Sequence, residues 1–436
     1  MSTIALRRPP VRPSVRPADA AAKADARDWD PLILCVAAYV LTAVGRIHQL
    51  FDVLGPLHLA AIAGLLAISL YLLDGSDERR GALVLGSTAA WVAALLGWMA
   101  ISVPFALSPG LSFDLVFNNF IKTVIMSFVV AGSVRNTRDV ERLALVYFAG
   151  AVIYSLVVIT RFDLGGGGAW RLGHLYYYDA NDFATFVVTA IPFGVYFLHA
   201  VPKTSTRIAA ALGLVVLTLG FVWSGSRGGF IALGAVALFI VFRYSAIPLR
   251  WRLSATALVV LVLVGTASDQ YWQQMETITS DTDYNHTSET GRLPIWSRGI
   301  GYMTANPFLG VGPDNFPTAE GTLSPLAERQ QYGIGVRWNA AHNSFVQIGA
   351  ETGLPGLTLF VAVIASAFLA LRRAGRVEMT RATGESRPPL TPALTASLIG
   401  FVVGAFFLSL AYSEMLYTLV ALAVGLCKVT RDAVSA

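Results

Sequence analysis

The sequence Ala340-Ala341-His342-Asn343-Ser344-Phe345 closes the one long polar segment of this chain, and Glu351-Thr352-Gly353-Leu354-Pro355-Gly356 follows shortly after it. Of the 436 residues, 55% are hydrophobic and only 14% are charged, and the mean hydropathy is +0.60. This balance lies far outside the usual range of soluble domains. The sequence therefore predicts an all-α, polytopic membrane bundle in which the polar segment is the place with room for a reaction centre.

Apolar runs of spanning length, about 17 to 25 residues, recur on both sides of that segment and predict about 12 transmembrane helices. Nine of them are expected in residues 31–267 and three in residues 343–428. The large loop between helices nine and ten then comprises residues 268–342 and carries part of the active site. Residues 1–30 are basic and proline-rich and predict a disordered tail, and residues 429–436 form a short C-terminal tail.

Lysine and arginine fall unevenly on the two sides of this bundle. With the N-terminal tail placed inside, most of the 32 basic residues lie in tails and loops of that same side. Basic residues concentrate in short cytoplasmic loops, so both termini are predicted in the cytoplasm and residues 268–342 on the outer face of the inner membrane. The net charge of +5 is explained by topology, and no nucleic-acid partner is expected.

The few arginines on the outer side are of interest because the topology rule disfavours them. Arg171 precedes the segment Tyr178-Asp179-Ala180-Asn181-Asp182, and Arg227 lies in the glycine-rich turn Ser224-Gly225-Ser226-Arg227-Gly228-Gly229. Charges near hydrocarbon are costly and usually face a polar cavity or ligand, and arginine grips phosphate with paired hydrogen bonds. A diphosphate site is one interpretation; interfacial arginines that reach toward water are the other. Arg46 and Arg161, at span ends, are expected to be plain anchors.

His342 stands where the polar segment re-enters the membrane. A neutral imidazole accepts a proton near neutral pH, and Asn343 and Ser344 offer orienting hydrogen bonds. The alternative is an interfacial or helix-capping histidine. Asp179 and Asp182 could be read as a carboxylate pair for glycoside hydrolysis, but we favour a helix N-terminal role, in which Asp179 or Asn181 caps the following span.

No metal or cofactor is expected. The sequence lacks a His-Glu-x-x-His pattern and clustered cysteines, since Cys35 and Cys427 lie in apolar runs near opposite ends of the chain. A helix expected to begin near Pro294 has one apolar face and should pack on the bundle or on the membrane surface rather than carry chemistry.

Taken together, the Asn181-Asp182 segment, the turn around Arg227 and the loop ending in His342-Asn343-Ser344 and Glu351-Thr352-Gly353-Leu354-Pro355-Gly356 resemble the O-antigen ligase family. The resemblance covers roughly residues 140–425. It implies a metal-independent, inverting membrane glycosyltransferase that moves a glycan from an undecaprenyl diphosphate carrier to an acceptor hydroxyl. By the same resemblance His342 is the catalytic base, Arg171, Arg227 and Arg337 contact the diphosphate, and Asn181, Asp182, Asn343 and Ser344 are supporting residues.

Three interpretations follow. The first is an O-antigen ligase that transfers the glycan to lipid A-core. The second, with the same chemistry, is a polymerase of polysaccharide repeat units or a ligase with a protein acceptor. The third is a small-molecule transporter, which about 12 spans would also suit. A transporter commonly shows ionisable residues within its spans and related halves, whereas the predicted spans are nearly free of charge and show no internal repeat.

Overall fold

The computed structural model describes residues 29–51, 53–76, 79, 87–161, 170–172, 175, 178–200, 203–327, 339–381 and 388–435. Every regular element in these ranges is a helix, with no strand among them, so the all-α prediction is confirmed. Nearly all of the predicted N-terminal tail, and the candidate Arg337, lie outside the described residues.

The α-helices in chain order are α1 (Pro31–Tyr39), α2 (Leu59–Leu73), α3 (Ser87–Ser102), α4 (Pro109–Phe113), α5 (Ile121–Ser133), α6 (Thr137–Arg161), α7 (Ala180–Ala200), α8 (Thr204–Ser224), α9 (Arg227–Arg243), α10 (Leu249–Thr266), α11 (Asp269–Glu276), α12 (Tyr284–Thr287), α13 (Arg292–Ala305), α14 (Phe316–Thr322), α15 (Ser344–Arg381), α16 (Thr391–Ala405) and α17 (Glu414–Ser435). A π-helical segment, Val40–Val44, extends α1, and a second, Asp114–Phe120, joins α4 to α5.

Eight of the described helical segments are long and apolar enough to cross a membrane. Two shorter apolar segments, Pro31–Val44 and Thr391–Ala405, lie beside them. The chain is therefore a multi-pass membrane protein. The count of about 12 spans, and the side of the membrane on which residues 268–342 lie, stay predictions.

Helix α7 is the centre of the bundle. Of the residues in its apolar stretch, 83% are buried. In Gly55–Leu73 and Leu249–Thr266 only 17% are buried, so these helices present their apolar side chains outward. Helix α16 approaches α7 closely through a small residue: a Cβ added at Gly404 would lie 2.6 Å from Oγ1 of Thr185. Small residues allow such close helix contacts in membranes, where packing rather than water exclusion drives association.

Charged groups tie the helices together at the end of the bundle where α1 and α6 begin. The fully buried carboxylate of Asp139 accepts hydrogen bonds from Arg135 at 2.8 Å and from Arg142 at 2.9 Å. Asp30, which caps α1 through the N–H of Ile33, also pairs with Arg135 at 2.9 Å. Buried charges persist only when paired in this way, so this network fixes the ends of α1 and α6.

Helix α15 breaks at Gly353, whose φ of 71° and ψ of −174° are not helical. The break frees carbonyl groups of the preceding turn, and buried carbonyls need partners. The N–H groups of Val311 and Gly312 supply them, donating at 2.9 Å to Ala350 and Glu351 respectively. The motif around Gly353 thus forms a break in a membrane helix. The turn at residues 310–316, which we call the clamp, holds this break by hydrogen bonds to the freed carbonyl groups.

The same clamp buries a carboxylate. Glu351 is fully buried and accepts the N–H of Phe316 at 3.2 Å and the hydroxyl of Tyr412. Asn315 continues the clamp toward the segment ahead of α4, where its Oδ1 accepts the N–H of Ser108 at 2.8 Å. These contacts hold the first part of α15, and with it the residues just before its start, in one position.

Candidate active site

The glycine-rich turn joins α8 to α9 with only two residues. Gly225 takes the left-handed conformation, φ 57°, directly after the last residue of α8. Ser226 then caps α9, its hydroxyl accepting the N–H of Gly229 at 3.1 Å. A glycine at the C-terminus of one helix and a serine cap on the next are the residue types that such a tight reversal requires. Arg227 is consequently the first residue of α9.

Arg171 is brought to this turn by its own backbone. The N–H of Leu172 donates to the carbonyl of Trp223 at 2.9 Å. A Cβ added at Gly225 would lie 2.8 Å from the Trp170 ring and 3.2 Å from Cβ of Arg171, so only glycine admits the segment. Arg171 and Arg227 are therefore neighbours. This agrees with the expectation that both contact one diphosphate, although the sequence alone could not show how they meet.

Electrostatics reflect this proximity. Burial lowers the pKa of Arg171, Asp179 opposes the effect, and the positive charge of Arg227 adds to it. Arg171 has no hydrogen bond or ion pair among the described residues. A partly buried cation near a second cation, without an acid bound to it, is a site that attracts an anion.

Arg227 is held rather than free. Its Nη1 donates to Oδ2 of Asp283 at 2.8 Å and to Oγ1 of Thr277 at 2.6 Å, and its guanidinium lies 5.5 Å from the centre of the Tyr284 ring. Burial works to raise the pKa of Asp283, but the N–H of Asn285 and the Arg227 guanidinium hold it below its ordinary value. Asp283 is thus a carboxylate at neutral pH, and within the described chain Nε and Nη2 of Arg227 have no partner.

Arg292 is a third member of the cluster, and no role was predicted for it. Gly291 precedes it in extended conformation, and Arg292 is the first residue of α13. Burial lowers its pKa, Tyr284 opposes this, and Arg227 and Arg171 act in the same direction as burial. The exposed Leu293 and Ile300 agree with the expected surface-packing face of this helix, and a role for Arg292 at its N-terminus is a new proposal. The predicted start near Pro294 was two residues late.

His342 lies in the same electrostatic neighbourhood. Burial lowers the pKa of its imidazole, Arg292 lowers it further, and Asp179 raises it. Its backbone is in the left-handed region, φ 47°, where its N–H donates to Oγ of Ser409 at 2.9 Å. Non-glycine residues in this conformation are uncommon and cluster at functional sites. The imidazole is therefore neutral at pH 7 and held by its backbone.

The sequence suggests that Asn343 and Ser344 orient the imidazole of His342 by hydrogen bonds. In the structure their side chains bond to the backbone instead. Oδ1 of Asn343 accepts the N–H groups of Phe345 at 2.9 Å and Val346 at 3.1 Å, which makes it the cap of α15. Oγ of Ser344 donates to the carbonyl of Leu408 at 2.7 Å and accepts from the N–H of Leu410 at 2.8 Å. Both side chains fasten the start of α15 and so position His342 through the backbone.

Asp179 caps the central helix, as predicted. Its Oδ1 accepts the N–H groups of Asn181 at 2.7 Å and of Asp182 at 2.8 Å. Asn181 and Asp182 occupy the first turn of α7, both half-buried, and Asp179 is exposed. Asp179 also raises the pKa of both Arg171 and His342, whereas Asn181 and Asp182 follow it in the first turn of α7.

Arg46 is not a plain anchor, which corrects the sequence interpretation. It is only 8% exposed and pairs with Glu414, Nη2 to Oε2, at 3.0 Å. The pair joins the end of the α1 segment to the start of α17. Arg161 is exposed with its guanidinium 4.9 Å from the Phe51 ring, in agreement with an anchoring role.

The cluster, which we call the arginine–histidine site, consists of Arg171, Arg227, Arg292 and His342 with Asp179, Asp283 and Tyr284 around them. It occupies the starts of α7, α9, α13 and α15, so it lies at one end of the bundle. Across the described ranges no three histidine, cysteine, aspartate or glutamate side chains are grouped as a metal ion requires. Its groups suit a phosphate-bearing anion and a proton transfer.

Residues 212–361 match the family model described as O-antigen ligase. This part of the chain is therefore similar to the O-antigen ligase family. The matched O-antigen ligase region is about a third of the 436 residues and includes Arg227, Arg292 and His342, while Arg171 and Asp179 lie ahead of it.

A second similarity agrees with the first. Over 127 residues, or 29% of this chain, the sequence is 30% identical to the exopolysaccharide production protein ExoQ of Rhizobium meliloti (strain 1021). The aligned part is 26% of that protein, so the chain spans about a quarter of this relative's length.

Proposed function

We propose that this chain is a membrane glycosyltransferase of the O-antigen ligase family that moves a glycan from an undecaprenyl diphosphate carrier to an acceptor hydroxyl, with lipid A-core as the foremost acceptor. The observation that carries the proposal is the convergence of three arginines and a neutral histidine at one end of a membrane bundle. The family match and the similarity to an exopolysaccharide production protein support the same class of substrate.

In this proposal Arg171, Arg227 and Arg292 bind the diphosphate. The fork-shaped guanidinium suits paired hydrogen bonds to phosphate oxygens. Asp283 keeps Arg227 in position through one nitrogen and leaves the others for the ligand. Negative charge grows on the diphosphate as the glycosidic bond breaks, so cations fixed here stabilise the transition state more than the ground state. Arg337 is proposed as a further contact, by the family resemblance alone.

His342 acts as the general base. Its neutral imidazole takes the proton of the acceptor hydroxyl while the hydroxyl oxygen attacks the anomeric carbon. The bond from that carbon to the diphosphate oxygen breaks, undecaprenyl diphosphate leaves with the electron pair, and the configuration inverts. The free site keeps the pKa of His342 low. Bound diphosphate adds negative charge and raises that pKa, so the base becomes stronger when substrate is present.

An apolar groove starts beside Arg227 and suits the polyprenyl chain. It has a volume of about 290 Å³ and lies between α7, α9 and α10, with Trp272 of α11 at one end. Phe230, one turn after Arg227, and Ile240 line it on α9. These two residues are roughly 15 Å apart at the helical rise, about half the thickness of the hydrocarbon core. All lining residues except Thr256 are apolar or aromatic.

Membrane orientation follows from charge. The arginine–histidine site lies at the end of the bundle opposite to the arginine-rich starts of α6 and α8. The basic side is cytoplasmic by the positive-inside rule. We therefore place the site on the periplasmic face of the inner membrane, in the loop 268–342 and around it, with both termini in the cytoplasm.

A second candidate of the same chemistry is a polysaccharide polymerase, which adds repeat units to a lipid-linked chain. The similarity to a protein named for exopolysaccharide production favours it. A ligase with a protein acceptor would use the same arginine–histidine site.

One assay separates these outcomes. Purified protein in detergent is incubated with an undecaprenyl diphosphate-linked glycan, with and without lipid A-core, and with and without a chelator. Chelator-resistant transfer that requires lipid A-core supports the ligase. Lengthening of the carrier-linked glycan without lipid A-core makes the chain a polymerase. No transfer to lipid A-core, carrier-linked glycan or an added acceptor protein contradicts the proposed reaction.

A further inference from the structure

A second polar cavity lies at the end of the bundle away from the arginine–histidine site. Its volume is about 730 Å³, and it opens between the end of α9, the far part of α15 and the start of α16. Helices α9 and α15 both begin at the arginine–histidine site, so their C-terminal parts lie at the opposite face. Nothing in the proposed transfer reaction uses this cavity.

Three arginines line it: Arg243, the last residue of α9, and Arg372 and Arg376 on α15. The side chains of these three arginines form no ion pair or hydrogen bond with another described residue. Arg372 and Arg376 are four positions apart and so lie on one helix face, where like charges repel. The cavity therefore concentrates positive charge that the described part of the chain does not neutralise.

The nearby carboxylate is already engaged. Glu378 accepts the N–H groups of Leu390 at 3.3 Å and Thr391 at 3.1 Å, which makes it the cap for the start of α16. Glu378 thus serves the helix terminus and forms no ion pair with Arg372 or Arg376. The three arginines are exposed, and no described carboxylate forms an ion pair with them.

Most of the remaining wall is apolar, although His199, Ser245, Thr391 and Thr395 also line the cavity. Phe239, Phe368 and Leu371 line the cavity together with prolines at 388, 389 and 392. Phe368 and Arg376 are eight positions apart on α15, or roughly 12 Å at the helical rise. The cavity therefore has guanidinium groups near the end of α15 and apolar surface one or two helical turns closer to the centre of the bundle. This arrangement fits a lipid, which has a charged headgroup and apolar chains, better than a small soluble anion.

We infer that this cavity binds the headgroup of an anionic phospholipid, whose phosphate lies among Arg243, Arg372 and Arg376 and whose acyl chains lie along Phe239 and Phe368. Basic pockets between membrane helices are known hosts for acidic lipid headgroups. The general excess of arginine on this side sets topology. Three arginines around one cavity whose side chains have no ion pair among the described residues go beyond that requirement.

The test compares lipids and matched variants of the full chain in detergent. Binding of phosphatidylglycerol, phosphatidylcholine and inorganic phosphate is measured by native mass spectrometry and by the rise in apparent melting temperature. The double variant Arg372→Gln/Arg376→Gln removes two lining charges. Arg373→Gln is the matched control, because Arg373 is exposed on the same helix but does not line the cavity.

Phosphatidylglycerol is expected to bind the native chain, and the double variant should bind it about 25-fold more weakly, from about 1 kcal/mol for each arginine near the headgroup. Arg373→Gln should change the affinity by less than twofold. Equal weakening by Arg373→Gln, equal binding of phosphatidylcholine, or displacement of the lipid by inorganic phosphate would overturn the inference. Should the double variant fold poorly without lipid, Arg243→Gln on α9 provides an independent variant with the same expectation, about fivefold.

Discussion

Replacement of Gly353 by alanine tests the clamped break in α15 most sharply. At φ 71° and ψ −174°, Gly353 occupies a region that is essentially restricted to glycine. An added Cβ would also lie 2.3 Å from the carbonyl oxygen of Phe308 and 2.7 Å from that of Pro307. The Pro307 carbonyl accepts the N–H of Leu354 at 2.8 Å, so relief of the clash costs this hydrogen bond.

The magnitude follows from these contacts. Backbone strain of about 1–3 kcal/mol and a lost hydrogen bond of about 1 kcal/mol together predict that Gly353→Ala destabilises the fold by about 2–4 kcal/mol. The break also fixes the direction of the helical turns between His342 and Gly353. A change at Gly353 should therefore displace His342 and lower the rate of glycan transfer.

The assay is the apparent melting temperature in detergent at a fixed scan rate, since membrane proteins often unfold irreversibly. The matched control is Gly301→Ala in α13, where an added Cβ meets nothing within 4 Å. Alanine there should be neutral or stabilising by about 0.5–1 kcal/mol. If Gly353→Ala melts at the temperature of the native chain, the break is not held as described and the reasoning fails.

Three further predictions concern charge. Arg292→Gln should move the acid limb of the kcat/KM profile to higher pH, because loss of this cation raises the pKa of His342 and the protonated imidazole is inactive. Arg227→Lys should lower kcat/KM about tenfold while the charge is retained, because lysine lacks the fork that binds two phosphate oxygens. Arg298→Met should destabilise the fold by about 3–5 kcal/mol, because it leaves the fully buried Glu320 without its two bonds from Arg298 at 2.8 and 2.6 Å.

Each of these has a control on the same chain. Asp179→Asn should shift the pH limb in the opposite direction, to lower pH, since Asp179 raises the pKa of His342; shifts of the same sign would contradict the electrostatic account. Arg161→Lys, outside the cluster, should leave kcat/KM unchanged. Tyr302→Phe removes one hydrogen bond of 2.8 Å to Glu320 and should destabilise less than Arg298→Met, and the reverse order would refute the ion-pair explanation.

Local sequence spacing predicted one helix start correctly. Asp179 before α7 was one of two candidate caps, and a cap acts within a few residues, so its effect can be read from spacing. The all-α membrane class followed from composition, because an apolar chain in lipid must satisfy its backbone within helices.

Contacts between distant segments were not readable in the same way. Arg292 comes within electrostatic influence of Arg171 and Arg227 only in the folded chain, and one sequence gives no measure of that approach. Only a weak sequence feature indicates a role for Arg292. It is an arginine on the predicted outer side, where the topology rule disfavours basic residues, and it directly follows a glycine at the start of a helix. Likewise, the pairing of Arg46 with Glu414, 368 positions apart, has no local signature.

The supporting residues show the same division. Asn343 and Ser344 were singled out for their place beside His342, but their hydrogen bonds go to the start of α15 and to the segment 408–410. A sequence motif identifies which residues matter together, whereas their partners depend on the fold. The left-handed backbone of His342, which gives a physical reason for the motif, became visible only in three dimensions.

The most direct test of the central claim is the rate of glycan transfer from an undecaprenyl diphosphate carrier for the native chain and for His342→Ala, measured at pH 7 on samples with equal melting temperature. Loss of a general base should lower the rate about 10²- to 10⁴-fold, while the binding of undecaprenyl diphosphate is retained. A His342→Ala variant that transfers glycan at the native rate would contradict the assignment of the arginine–histidine site as the reaction centre.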